Sequence, residues 1–125
     1  MFREKLAEIL KRDKRYKLEA YLFLLESLDY ARKIFNKPKH VTGQELLAGI
    51  KELAKERFGR MAKMVFATWG VKTTDDFGEI VFNLVDAGLL SKTAEDKKED
   101  FYNVYNFDEV FVKDYEIGRA VENAG

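Results

Sequence analysis

Cysteine is absent, and with it go disulfides, thiolate zinc sites and cysteine nucleophiles. Serine occurs only at Ser27 and Ser91, neither of them in a nucleophile elbow. One histidine, His40, and one proline, Pro38, share a single loop. No apolar run reaches transmembrane length, and the charged start MFREKLAEILKRD lacks the apolar core of a signal peptide. A cytoplasmic protein away from membranes is therefore expected. The glycines build no phosphate cradle, since GQELLAG and WGVKTTDDFG lack both the P-loop lysine and the dinucleotide spacing.

What is present is apolar and aromatic. Apolar residues make up 46% of the 125 positions and aromatics 14%, which excludes a disordered chain and supports one folded domain. Lys17 to Phe35 is the organising stretch. At about 100° per residue, Leu18, Tyr21, Leu22, Leu25 and Leu28 share one helix face. Ala20, Phe23, Leu24, Ser27, Ala31, Ile34 and Phe35 share nearly the opposite one. A helix apolar on two sides is normally surrounded, so it is expected at the centre of the core.

Charge is balanced in total but not along the chain. Residues 1–40 carry a net +5, residues 41–70 a net +2 and residues 71–125 a net −7. Such a gradient marks either a polyanion-binding end or two ends that attract each other, within one molecule or between copies. The densest basic run is KRDKRYK, Lys11 to Lys17, around Tyr16.

Residues 2–12 keep helical spacing through Phe2, Leu6, Ile9 and Leu10. Pro38 turns Lys37 out of the helical region, and Thr42 with Glu45 then forms a capping box for the next helix. That helix is expected to stop at Gly59. A shorter one follows to Gly70, with Met61 and Met64 filling core. A third, Asp75 to Ala87, ends at Gly88, with Thr73 and Thr74 as N-cap candidates. Leu89–Thr93 and the aromatic, β-prone Phe101–Phe107 read as a hairpin with a charged tip. The expected fold is α+β and mainly helical. A globular domain spans 1–112, split into an N-terminal helical extension (1–37) and a three-helix-plus-hairpin part (42–112). A weakly structured tail covers 113–125.

Three helices with a hairpin over Thr42 to Phe111 resemble a winged helix. In that fold the third helix enters the major groove. Here its outer stripe of Asp75, Asp76, Glu79, Asn83 and Asp86 is acidic and would repel phosphates. A closer resemblance rests on RYKLEAYLFLLESLDYAR, HVTGQELLAGIKELA, WGVKTTDDFGEIVFNLVDAGLLSKT and YNFDEVF. On these phrases nearly the whole chain is similar to a small uncharacterised bacterial family found mostly in planctomycetes and verrucomicrobia. That resemblance implies no activity and no site residues.

The chemistry on offer is thin. His40 is a candidate base or pH-sensitive contact, though a loop histidine is more commonly solvated. Asp75, Asp76 and Glu79, or Asp96, Glu99 and Asp100, have the oxygens for a hard cation but no EF-hand spacing. No catalytic, cofactor-binding or metal residue is selected, and no cofactor is expected. The favoured reading is a non-enzymatic protein-interaction module, self-association included. Its contact residues would be Asp75, Asp76, Glu79, Phe82 and Asp86. The alternative is a nucleic-acid-binding factor that uses Lys11, Arg12, Lys14, Arg15 and Lys17, with Tyr16 available for stacking. A third reading is a small-ligand or enzymatic pocket lined by Tyr16, Tyr21, Phe23 and Trp69.

Overall fold

In the computed structural model residues 1–91 and 97–114 are described. Five α-helices follow one another: α1 (Phe2–Arg12), α2 (Leu18–Ile34), α3 (Gly43–Phe58), α4 (Ala62–Thr68) and α5 (Thr74–Asp86). Short 3-10 turns at Gly59–Met61 and Lys98–Phe101 and a wide π-type turn at Glu109–Lys113 complete the helical elements of the described residues. Helix α3 starts as its capping box dictates. The Glu45 amide donates to Thr42 Oγ1 at 3.0 Å and the Thr42 amide donates to Glu45 at 2.8 Å. Lys37 lies 2.7 Å from the same carboxylate, and these bonds hold the Glu45 carboxyl below the usual range.

Helix α2 lies along α3 at short range. A Cβ on Gly49 would stand 2.8 Å from Ala31 Cβ, so only glycine lets the two backbones approach this closely. Ala20, Tyr21, Phe23, Leu24, Ser27 and Ala31 of α2 are buried, and the Ser27 hydroxyl donates back to the Phe23 carbonyl. One apolar cluster runs from Leu6 to Phe111. At its centre Phe66 stands within 6.5 Å, ring centre to ring centre, of Phe23, Phe58, Trp69, Phe77, Phe107 and Phe111. The surrounding contacts are edge-on or tilted, the arrangement that ring quadrupoles favour.

The expected hairpin does not form. All described secondary structure is helical, with no strand among the described residues, so neither the α+β class nor the winged-helix likeness holds. Two physical reasons are visible. The Leu89 amide is spent on the Leu84 carbonyl at the end of α5, which leaves no first strand at Leu89–Leu90. In the other half, Phe101 is buried in a 3-10 turn and Asn103 takes φ +49°, which breaks an extended run. The amides that a ladder would need are already committed, Asn103 to Asp75 at 2.8 Å and Val104 to the buried Thr74 hydroxyl at 3.1 Å. Thr93, the charged tip at Glu95 and Asp96, and the tail from residue 115 lie outside the described residues.

Helix α2 buries residues of both apolar faces, Tyr21 from one and Phe23 and Leu24 from the other, while Leu18 and Leu22 at its start and Ile34 at its end remain 38%, 39% and 46% exposed. One further expectation needs correction. Met61 and Met64, expected inside, are 48% and 59% exposed. The core beside them is already filled by the rings around Phe66, so Met61 in the 3-10 turn and Met64 in α4 turn outward.

Candidate functional site

The basic joint between α1 and α2 and the acidic face of α5 are brought together. The joint is seated on the turn after α4. The Lys17 amide donates to the Trp69 carbonyl at 3.1 Å, and a Cβ on Gly70, which has φ +91°, would fall 2.0 Å from the Arg15 carbonyl oxygen. Glycine is required there on both counts.

From that seat the joint reaches across to α5. Tyr16 is buried and donates its hydroxyl to Asp76 Oδ1 at 2.5 Å. The other Asp76 oxygen accepts the Lys72 and Thr73 amides, so this carboxylate at the first turn of α5 is saturated. Burial first, and then the bond to Asp76, push the Tyr16 phenol well above its ordinary pKa. Arg15 Nη2 donates to Asp13 at 2.7 Å and reaches Glu79 at 3.5 Å, and its guanidinium lies 5.1 Å over the Tyr16 ring. Lys98 adds a second cation to Glu79 at 3.1 Å.

Asp13 and Asn83 close the network. Asn83 Nδ2 donates to Asp13 at 2.9 Å and to the Tyr21 hydroxyl at 3.0 Å. The Arg15 bonds hold the Asp13 carboxyl far below the usual range, against a smaller opposing effect of burial. Chemically this is a structural clamp. Asp13, Asp76 and Glu79 are each engaged by positioned donors. Among the described residues no group of three or more histidines or carboxylates is arranged to hold a metal ion.

The residues singled out from the sequence divide accordingly. Asp75 holds the Asn103 amide, Asp76 and Glu79 hold the joint, and Phe82 lies under the Lys98 ammonium at 5.9 Å. Of those five, only Asp86 is exposed at the surface. On the basic side Arg15 is engaged, whereas Lys11, Arg12, Lys14 and Lys17 are exposed and have no carboxylate partner among the described residues. The aromatics proposed to line a pocket are packed instead. Phe23 stacks on Trp69 at 5.4 Å, and Tyr16 and Tyr21 make the polar bonds above.

From the sequence, Asp13 and Lys98 have no assigned role, Thr74 is placed only as an N-cap candidate and Asn83 only in an outer stripe. One signal was legible, since Asp13 is the only acid in the run from Lys11 to Lys17. Comparison with protein-family models, with curated proteins and with solved structures gave no match. Among the described residues, no helix is long and apolar enough to cross a membrane.

Proposed function

We propose that this protein is a non-enzymatic protein-interaction module of the cytoplasm, and that its contact face is the α1–α2 joint with the outer line of α2. One observation carries this reading: Asp75, Asp76 and Glu79 of α5 are engaged within the molecule, while Lys11, Arg12, Lys14 and Lys17 are exposed in the run that leads into the exposed Leu18 and Leu22. Cations next to leucines one helical turn apart suit an acidic segment that presents its own apolar side chains. Asp75, Asp76, Glu79 and Phe82 act in this reading as internal supports. The proposed kinship with the bacterial family adds no activity to it.

The test is fluorescence anisotropy with a labelled amphipathic peptide that carries Asp/Glu on one face and leucines on the other. Saturable binding that is lost both in Leu18→Glu/Leu22→Glu and in Lys14→Glu/Lys17→Glu is expected. No binding to the intact chain would overturn the reading. Sedimentation velocity of the same variants covers self-association: a dimer lost on Leu22→Glu would make a second copy the occupant.

These exposed cations favour a second reading, in which the same joint holds nucleic-acid phosphates. Arg15 is excluded from that role by its bonds to Asp13 and Glu79. A gel-shift series at rising salt separates the two. Retardation that weakens steeply with salt, disappears on neutralising Arg12 and Lys14 and survives Leu22→Glu belongs to nucleic acid. No retardation at low salt removes it.

A further inference from the structure

On another part of the surface, the C-terminal half of α2, the loop before α3, and the chain leaving α5 enclose a half-open cavity of about 490 Å³. Its body is apolar, built by Leu46, Val81 and Phe101 among others, and its mouth carries Arg32, Lys39 and His40. None of the described residues that line it is an acid. The nearby carboxylates already have partners. Asp29 pairs with Nη1 of Arg32 itself at 3.1 Å, Glu45 pairs with Lys37, and Asp100 accepts the Lys97 amide at 3.2 Å.

The mouth is also held in place before any ligand arrives. Arg32 Nε donates to the Lys39 carbonyl at 3.2 Å, which ties the loop to α2, and the Lys37–Glu45 pair ties it to the start of α3. Arg32 keeps its second terminal nitrogen uncommitted, and the side chains of Lys39 and His40 have no partner among the described residues. The volume falls within the range of small-molecule sites, and a mouth fixed in advance reduces the ordering cost of binding.

We infer that this cavity is a binding site for a small amphipathic carboxylate, an apolar body seated against Leu46, Val81 and Phe101 with its carboxylate at Arg32, Lys39 and His40. The arrangement of charge selects this chemistry. A neutral apolar ligand would leave three cationic or polar heads without use, and a hydrophilic anion would leave the apolar floor unmatched. The inference is independent of the protein-contact reading, which uses a different surface.

The test is a two-dimensional amide NMR titration of the full chain with octanoate and 2-naphthoate, each paired with its uncharged primary amide. Saturable shifts are expected at Arg32, His40, Gly43 and Leu90, with the amides binding roughly tenfold more weakly, the ratio that one charge-assisted hydrogen bond supplies. Lys39→Ala/His40→Ala lies in an exposed loop and tests the mouth without touching the core. It should weaken both acids several-fold at unchanged melting temperature. Val81→Trp fills the body and should abolish binding. Absence of shifts up to millimolar acid, shifts scattered over other surfaces, or equal affinity for acid and amide would each overturn the inference.

Discussion

Tyr16 donates its phenolic hydrogen to Asp76 across sixty residues of chain, at 2.5 Å and largely out of water. This bond ties the most basic stretch to the first turn of the most acidic helix. With the Arg15–Glu79 contact it brings the two ends of the charge gradient together within one molecule. Breaking either partner leaves the other exposed to a loss. Tyr16→Phe should lower stability by roughly 1.5–3 kcal/mol, the range for a hydrogen bond to a charged group. In a double-mutant cycle with Asp76→Asn, followed by urea unfolding, the two losses should not add. Additive losses would mean that the bond is not a coupled contact.

Asp13 sets an acid limit. Its carboxyl is depressed in the folded protein by Arg15, so folding is favoured while Asp13 is ionised in both states. That contribution is complete above the ordinary aspartate pKa of about 3.9 and disappears as pH falls below it towards the folded value. The melting-temperature gap between the wild-type chain and Asp13→Asn should hold steady from pH 8 to about pH 5 and then close at lower pH. A gap that does not depend on pH would contradict the assignment.

The tyrosines set an alkaline limit. Burial raises the phenols of Tyr16, Tyr21 and Tyr105, and Tyr105 is further anchored by donation to the Leu47 carbonyl at 2.6 Å. A group with a raised folded pKa adds stability below its unfolded value, and that stability is lost above it. The protein should therefore weaken above about pH 10, where the unfolded chain releases these protons first. Absorbance titration at alkaline pH should show these phenols ionising together with unfolding. Tyr105→Phe should make the decline shallower.

Phe66 is the central ring of the aromatic cluster. Phe66→Ala should cost about 3–5 kcal/mol in urea unfolding, because a cavity opens with rigid rings on every side. Phe66→Leu should recover a good part of that loss. Equal losses in the two would show that ring packing contributes little.

Gly70 controls the seat of the basic joint. Gly70→Ala forces a Cβ onto the Arg15 carbonyl at a backbone angle that alanine rarely adopts. The expected result is a loss of at least about 1–3 kcal/mol, together with faster hydrogen exchange at Lys17, whose amide bonds to Trp69. Unchanged exchange there would separate the joint from this turn.

Much of the local structure was written in short stretches. Thr42 with Glu45, Gly59, Gly70 and Gly88 mark helix ends through cap chemistry that involves only neighbours, and these ends fall where spacing puts them. The apolar periodicity of Leu18 to Ile34 specified a helix. It did not specify that Leu18 and Leu22 would stay outward while Tyr21 on the same face is buried, because that depends on how much of the remaining chain can reach each position.

The hairpin was misread for a related reason. Phe101 to Phe107 has the composition of a strand, yet the fate of its amides was decided by Asp75 and Thr74, which lie almost thirty residues upstream. The sequence alone determined the helices, their ends, and the separation of positive from negative charge, since each depends on residues within a turn or two. Only the tertiary structure decided that Arg15 would reach Glu79 and Tyr16 would reach Asp76, leaving Lys11, Arg12, Lys14, Lys17, Leu18 and Leu22 outward. Long-range pairing depends on which backbones approach, and that was set by glycines at Gly49 and Gly70 whose role is invisible until their neighbours are in place.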